Sequence, residues 1–489
     1  MVAGTHSGVG KTTVAVGLMA AYTRAGRRVG AAKVGPDYID PGYHQLAVGR
    51  PSRNLDVFLS GPDGVLAAAA AAARGADLLV VEGVMGMFDG IPRELAAGEG
   101  SERPDGSAVP DGSGAHVGSE AHGSPSPGST AHVAELLAAP VLLVVDASSL
   151  GESVAAVVHG YSSWLGGPRV SGVVLEKVGS ASHEEMLRRA LEPLGVPVVG
   201  VLPRDEDLRW RDRHLGLIPV VEAPAGVKAS IDRLATMVAE RFDLDEIFAL
   251  ASEAPPLPTP VLPSPRPGGS CRVAVASGPA FSFYYHGNRE ALESAGAELV
   301  EFDPLSDRLP DCDAVVAGGG FPEVFAERLS ENAPLLEDLR AAHRRGVVFW
   351  AECGGLLWLC ESLDGVPMAG LIPARARMTD RLTLGYRLAV TRRDSPFGPA
   401  GTLLRGHEFH YSVVEPSGDG LEMRSRLGAG VGGWVADRVF ASYLHMDLSS
   451  RPELAERFVG TATRSRPSDA HGGDAHGAGR RVGSRTDVC

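Results

Sequence analysis

The stretch GTHSGVGKTT, residues 4–13, limits the fold of this chain more than any other feature. Gly8 and Gly10 let backbone N–H groups converge on an anion, Lys11 neutralises it, and Thr12 and Thr13 open the helix that follows. Such a loop works at the C-terminal end of a buried parallel strand, with the helix N-terminus aimed at a phosphate. It predicts a parallel α/β sheet and a bound nucleotide. The spacing is not strict, because Thr5 stands where the first glycine belongs and Gly4 lies one place early. Only Met1, Val2 and Ala3 precede Gly4, so a short first strand and a start assigned too far downstream are expected.

The rest of residues 1–220 agrees with this. Short Val-, Leu- and Ala-rich runs such as DLLVVEG, PVLLVVDAS and VSGVVLEKVG alternate with longer amphipathic stretches, as buried parallel strands and their helices do. Residues 91–127 are rich in Gly, Ser, Pro and His without apolar periodicity and read as a disordered surface insertion. The Pro-rich segment 254–269 closes a connecting segment, 221–270. The α/β rhythm then resumes over 271–460, and 461–489 read as a disordered tail. The net charge of −14 disfavours nucleic acid or an anionic membrane as a partner. Five singly placed cysteines, no secretory leader and no long apolar run point to the cytoplasm.

Two acid-bearing segments end strands beside the loop. In KVGPDYIDPGYH (33–44) Asp37 and Asp40 follow Lys33, and in VVEGVMGMFDG (80–90) Glu82 is followed by Asp89. Carboxylates at strand ends next to a phosphate loop suit Mg²⁺, so Thr12, Glu82 and Asp37 are the expected metal ligands.

The second half carries different chemistry. VVFWAECGGLLWL (347–359) places Cys353 at a strand–turn–helix elbow, where the helix N-terminus favours a thiolate nucleophile. VVAGGGFPE (315–323) ends a strand in glycines, so the amides of Gly319, Gly320 and Gly354 are candidates for an oxyanion hole. VFASYLHMDLSS (439–450) supplies His445 as general base, with Asp447 as an orienting acid or a spectator.

Taken with AFSFYYHGN, LGY, RHLGLIP and GHEFHYS, these motifs resemble the cobyrinate or hydrogenobyrinate a,c-diamide synthases of cobalamin synthesis across roughly residues 1–460. The resemblance implies an N-terminal P-loop NTPase-type parallel sheet domain similar to dethiobiotin synthetase, and a C-terminal α/β domain similar to class I glutamine amidotransferases. It implies ATP bound at Gly8, Gly10, Lys11, Thr12 and Thr13 with Mg²⁺, and glutamine cleaved at Cys353 with His445. Released ammonia would amidate two peripheral acetates of a tetrapyrrole polycarboxylate through acyl phosphates, with Tyr38, Asp40 and Asp89 at that substrate site. RHLGLIP and GHEFHYS are candidate linings for the ring. A homodimer is left open. Glu176 in LEKVGS stands where the family often has Asn, which leaves nucleotide choice open. The alternatives are another tetrapyrrole, such as nickel-sirohydrochlorin, and a non-catalytic P-loop switch protein.

Overall fold

The computed structural model describes residues 1–92, 123–204, 224–258 and 269–464 except 427, with isolated positions between these spans. Residues 93–122 of the 91–127 stretch, most of RHLGLIP and the tail beyond 464 lie outside the described residues.

Seven parallel strands form the first sheet: β1 (Val2–Gly4), β2 (Val29–Val34), β3 (Arg53–Leu55), β4 (Leu78–Glu82), β5 (Val141–Asp146), β6 (Val170–Val178) and β7 (Val198–Pro203). Their order is β3-β2-β4-β1-β5-β6-β7. The short β1 is central, pairing Val2 with Glu82 on one side and Val2 to Gly4 with Leu142 to Val144 on the other. Every residue of β2 is buried, which its Val- and Ala-rich sequence permits because helices cover both sheet faces.

Helix α1 (Lys11–Arg24) follows the phosphate loop, with Gly10 before it at φ 107°, a left-handed conformation that glycine adopts without strain. Residues 224–252, assigned above to a connecting segment, form helices Pro224–Arg241 and Leu244–Ser252. Val227, Ile231, Leu234 and Val238 share one hydrophobic cluster with Val14, Leu18 and Ala21 of α1. This part of the segment completes the first domain. The ends of the low-complexity stretch meet, since the Ile91 N–H donates to Pro127 O at 2.7 Å.

The second domain holds parallel strands in the order 297–302, 271–276, 314–317, 348–352 and 439–442, with 434–436 antiparallel at the edge. A long hairpin, Ile372–Thr391 with Leu403–Glu415, leans toward the first domain. The last helix, Pro452–Thr463, takes up the first residues of the expected tail.

The domains meet with the strand C-termini facing one another. Arg53 grips Glu290 through two hydrogen bonds of 2.8 and 2.6 Å. Tyr386 OH donates to Asp56 at 2.7 Å, and Tyr285 OH donates to Pro36 O at 3.0 Å. Tyr38 stacks on Tyr285 with centroids 4.4 Å apart. Among the described residues no helix is long and apolar enough to cross a membrane.

Candidate active site

Two clusters flank one cavity. The first is built where β2 and β4 end beside the phosphate loop. Lys11 Nζ donates to His6 O at 3.0 Å and also to Met85 O, tying the phosphate loop to the segment that follows β4. Burial and the nearby Lys33 bring its pKa down to about 8. Thr12 donates its hydroxyl to Glu82 Oε1 at 2.7 Å.

Glu82 is fully buried behind that threonine. Lys33 Nζ lies 2.8 Å from its Oε1, and His44 Nε2 lies 2.6 Å from its Oε2. Burial opposes its charge, but Lys33 and His44 outweigh burial and hold its pKa well below the ordinary carboxylate range. Lys33 also reaches Asp40 at 2.7 Å. Burial and the carboxylates of Asp37 and Glu82 push Asp40 upward. Asp37 accepts the Ile39 N–H at 2.8 Å, and Asp89 accepts the Gly86 N–H at 2.9 Å. The structure thus joins Thr12, Glu82 and Asp40 through Lys33 and Glu82 itself, leaves Asp37 on the cavity wall, and turns Asp89 back on its own loop. His44 was not singled out in the sequence, although its position four residues after Asp40 puts it on the same face of the helix Ile39–Val48.

Glu176 sits against the phosphate loop. A Cβ built on Gly10 would fall 2.5 Å from its Oε1. That oxygen has no hydrogen-bond partner among the described residues, and burial pushes the carboxyl up to about 8. The folded protein therefore holds an extra proton between about pH 4.5 and 8, and Glu176 subtracts stability as pH rises through that window. Glu176→Gln is expected to raise stability above pH 8 by on the order of 2 kcal/mol, the gain vanishing toward pH 4.5. Thermal melts at the two pH values check this; an equal gain at both would remove the titration from the account.

The second cluster surrounds Cys353. Strand 348–352 pairs with strand 439–442, setting Glu352 opposite Ser442. The Cys353 N–H then donates to Ser442 O at 2.8 Å, and three residues on the chain delivers His445. Cys353 has φ +49° and stands at the N-cap of the helix Gly354–Leu359, a strained strand-to-helix elbow of the kind that suits a nucleophile.

The three glycines gather here. A Cβ on Gly319 would meet His445 Cε1 at 2.7 Å, and one on Gly354 would meet Gly320 N at 3.1 Å. Gly320 must be glycine, because a Cβ there would strike Ala280 O at 2.1 Å. His445 is buried, which alone would lower its pKa, but hydrogen bonds to Cys353 and Glu352 raise it to about 10.

Asp447 does not reach His445. It accepts the Ser449 N–H at 2.8 Å and lines a separate pocket with Arg53, His286 and Glu290. The acid found at His445 Nδ1 is Glu352, at 3.3 Å, a residue the sequence reading passed over.

The Cys353 cluster and the loop 35–39, which follows β2, share a cavity of about 420 Å³. Asp37, Tyr38 and Val84 line it from the first domain, and Gly320, Cys353 and His445 from the second. The Tyr38 ring stands 5.1 Å from that of His445. His407 and His410 of GHEFHYS also line it, and burial lowers their pKa to about 3 and about 4.

Residues 1–218 match the CobQ/CobB/MinD/ParA nucleotide-binding domain, and residues 272–453 match the CobB/CobQ-like glutamine amidotransferase domain. A nucleotide-binding domain coupled to a glutamine amidotransferase defines a glutamine-dependent amide-forming enzyme. Hydrogenobyrinate a,c-diamide synthase of Streptomyces coelicolor is 45% identical over 94% of this chain and 96% of its own length. The enzyme of the same name from Mycobacterium bovis is 42% identical over 95% and 98%. Cobyrinate a,c-diamide synthase of Synechocystis is 36% identical over 98% and 99%. The chain belongs to the cobyrinate/hydrogenobyrinate a,c-diamide synthase family.

Proposed function

We propose that this chain amidates the a and c acetate carboxylates of hydrogenobyrinate or cobyrinate, using ATP and ammonia cut from glutamine. The observation that supports this most is the single cavity shared by the Cys353 cluster and the acid-bearing loop 35–39. Hydrogenobyrinate is the first substrate to try, because the relatives named for it are 40–45% identical and those named for cobyrinate 36–38%.

In the second domain Cys353 Sγ attacks the side-chain carbonyl carbon of glutamine. The amides of Gly319, Gly320 and Gly354 receive the oxyanion. His445 gives its proton to the departing nitrogen, the C–N bond breaks, and ammonia leaves a thioester. Water, deprotonated by His445, then releases glutamate and frees the thiol.

In the first domain a substrate carboxylate oxygen attacks the γ-phosphorus of ATP and ADP departs. Lys11 and the loop amides at Gly8, Gly10, Thr12 and Thr13 hold the phosphates. Ammonia attacks the acyl carbon, phosphate leaves, and the carboxamide loses its extra proton. Tyr38 stands between the two chemistries, and Asp40 steadies Lys33 below the substrate. The cavity wall is largely apolar, with Ile39, Val84, Phe283, Leu357 and Met378, which protects an acyl phosphate from water.

Magnesium fits the donor set. Among the described residues no cluster of three acids, histidines or cysteines is set to hold a metal by itself, but the Thr12 hydroxyl and the Glu82 and Asp37 carboxylates offer the hard oxygen donors that Mg²⁺ takes beside phosphate. The Thr12 hydroxyl already gives its hydrogen to Glu82 and keeps its lone pairs for a metal. Thr12 and Asp37 would then hold the ion directly and Glu82 from behind; when bound, it offsets phosphate charge.

Substrate carrying ¹⁸O in its carboxylates tests the acyl phosphate. With ATP and ammonia, one labelled oxygen should appear in phosphate for each amide formed. Unlabelled phosphate at full amide yield would rule that intermediate out.

A further inference from the structure

We infer that Glu352, the residue immediately before the nucleophile, is the acid that orients His445 for glutamine cleavage, in the place that Asp447 would have taken. The reading rests on the proposed glutaminase role of Cys353 and His445 and extends it.

The geometry is specific. Glu352 Oε2 lies 3.3 Å from His445 Nδ1. Its other oxygen is fixed by two donors, Trp350 Nε1 at 3.0 Å and the Met446 N–H at 3.1 Å. The carboxylate is 5% exposed and the imidazole 2%. An acid so held fixes the tautomer with the proton on Nδ1, which turns Nε2 toward the thiol, and it stabilises the imidazolium when His445 charges.

The placement follows from strand register. Trp350 and Glu352 point to one side of their strand, as residues two apart must, while Cys353 leaves the strand at the elbow. Pairing of Glu352 with Ser442 carries the chain after Ser442 over that same side, and His445 lands on the carboxylate. Asp447 has already turned away toward Ser449.

The groups facing His445 are few. Cys353 and Glu352 flank it from their strand, and Tyr38 faces it from the first domain. His407, Glu408 and His410 act on it from the neighbouring strand, where Arg387 neutralises Glu408 at 2.8 Å. Glu352 is the carboxylate in hydrogen-bond contact with the ring.

The test compares E352Q, E352D and D447N in glutamine hydrolysis across pH, with ammonia-supported amidation measured on the same preparations. E352Q should lose about 10²-fold or more in kcat with KM nearly unchanged, because the bond matters most when the imidazolium forms. The alkaline limb of its pH profile should move to lower pH, a shift that a merely structural role would not produce. E352D should recover part of both. D447N should keep kcat within about threefold, as a distant polar substitution does. Wild-type kcat and pH profile in E352Q would overturn the assignment, and so would a collapse confined to D447N. Loss of ammonia-supported amidation in E352Q would mark a folding defect, and the E352D and D447N results then decide. If Cys353→Ala still hydrolysed glutamine, the failure would belong to the glutaminase reading itself.

Discussion

Cys353→Ala will lose glutamine-supported amidation by at least about 10³-fold, because no other group in the elbow can form the thioester. Amidation from added ammonium salt will stay within about twofold of the parent, since the phosphate loop lies outside that cluster and independent sites act additively. The substitution removes a small sulfur atom at a residue 8% exposed, and the backbone strain at φ +49° persists in alanine. The fold should therefore survive, and the ammonia assay reports this directly. The two assays are read on one preparation by following amide product. Retained glutamine use would refute Cys353 as nucleophile. Loss of both activities with an unchanged melting temperature would show that the cysteine serves the shared cavity and not the glutaminase alone.

Glu82→Gln will impair amidation from either nitrogen source by about 10²-fold or more, because it breaks the link from Thr12 to Lys33. Glu82 holds Thr12, Lys33 and His44 at once, at 2.7, 2.8 and 2.6 Å. Removing one charge of such a buried set costs about 3–5 kcal/mol, since its partners stay buried without it. Part of the loss will thus appear as a lower melting temperature. Thr12→Ala separates the effects: it leaves the Lys33–Glu82 pair intact, so it should cut activity with either nitrogen source while melting close to the parent. Wild-type rates in both variants with ammonia would remove Thr12 and Glu82 from the reaction.

Local chemistry explains what could be read without a structure. The phosphate loop and the Cys353 elbow announce themselves because glycines, a lysine or a thiol must stand at fixed short spacings for a strand to turn into a helix there. Gly319, Gly320 and Gly354 stand out for the same reason, and the structure gathers them beside Cys353 and His445. Glu352 was not, although it precedes Cys353 directly. Its partner lies 93 residues away, and only the pairing of strands 348–352 and 439–442 brings them together. Asp447 is close to His445 in sequence but bonds Ser449, whereas Glu352 is the carboxylate that lies against the imidazole in space. Helices Pro224–Arg241 and Leu244–Ser252 were hidden by the Pro-rich run after them, yet their apolar faces complete the cover of α1. The burial of Glu176 against Gly10 likewise depends on how β6 meets the loop, which no local pattern encodes.

The central claim is that one cavity joins glutamine cleavage to amidation of two ring carboxylates. Mass spectrometry of the product tests it most directly. The protein is given ATP, Mg²⁺ and glutamine with hydrogenobyrinate in one tube and cobyrinate in another. The account predicts a product with two acid-to-amide conversions in at least one tube, and none when ATP is withheld. Glutamine hydrolysed to glutamate with both substrates unchanged would contradict it, and would leave a glutaminase whose ammonia goes to a different acceptor.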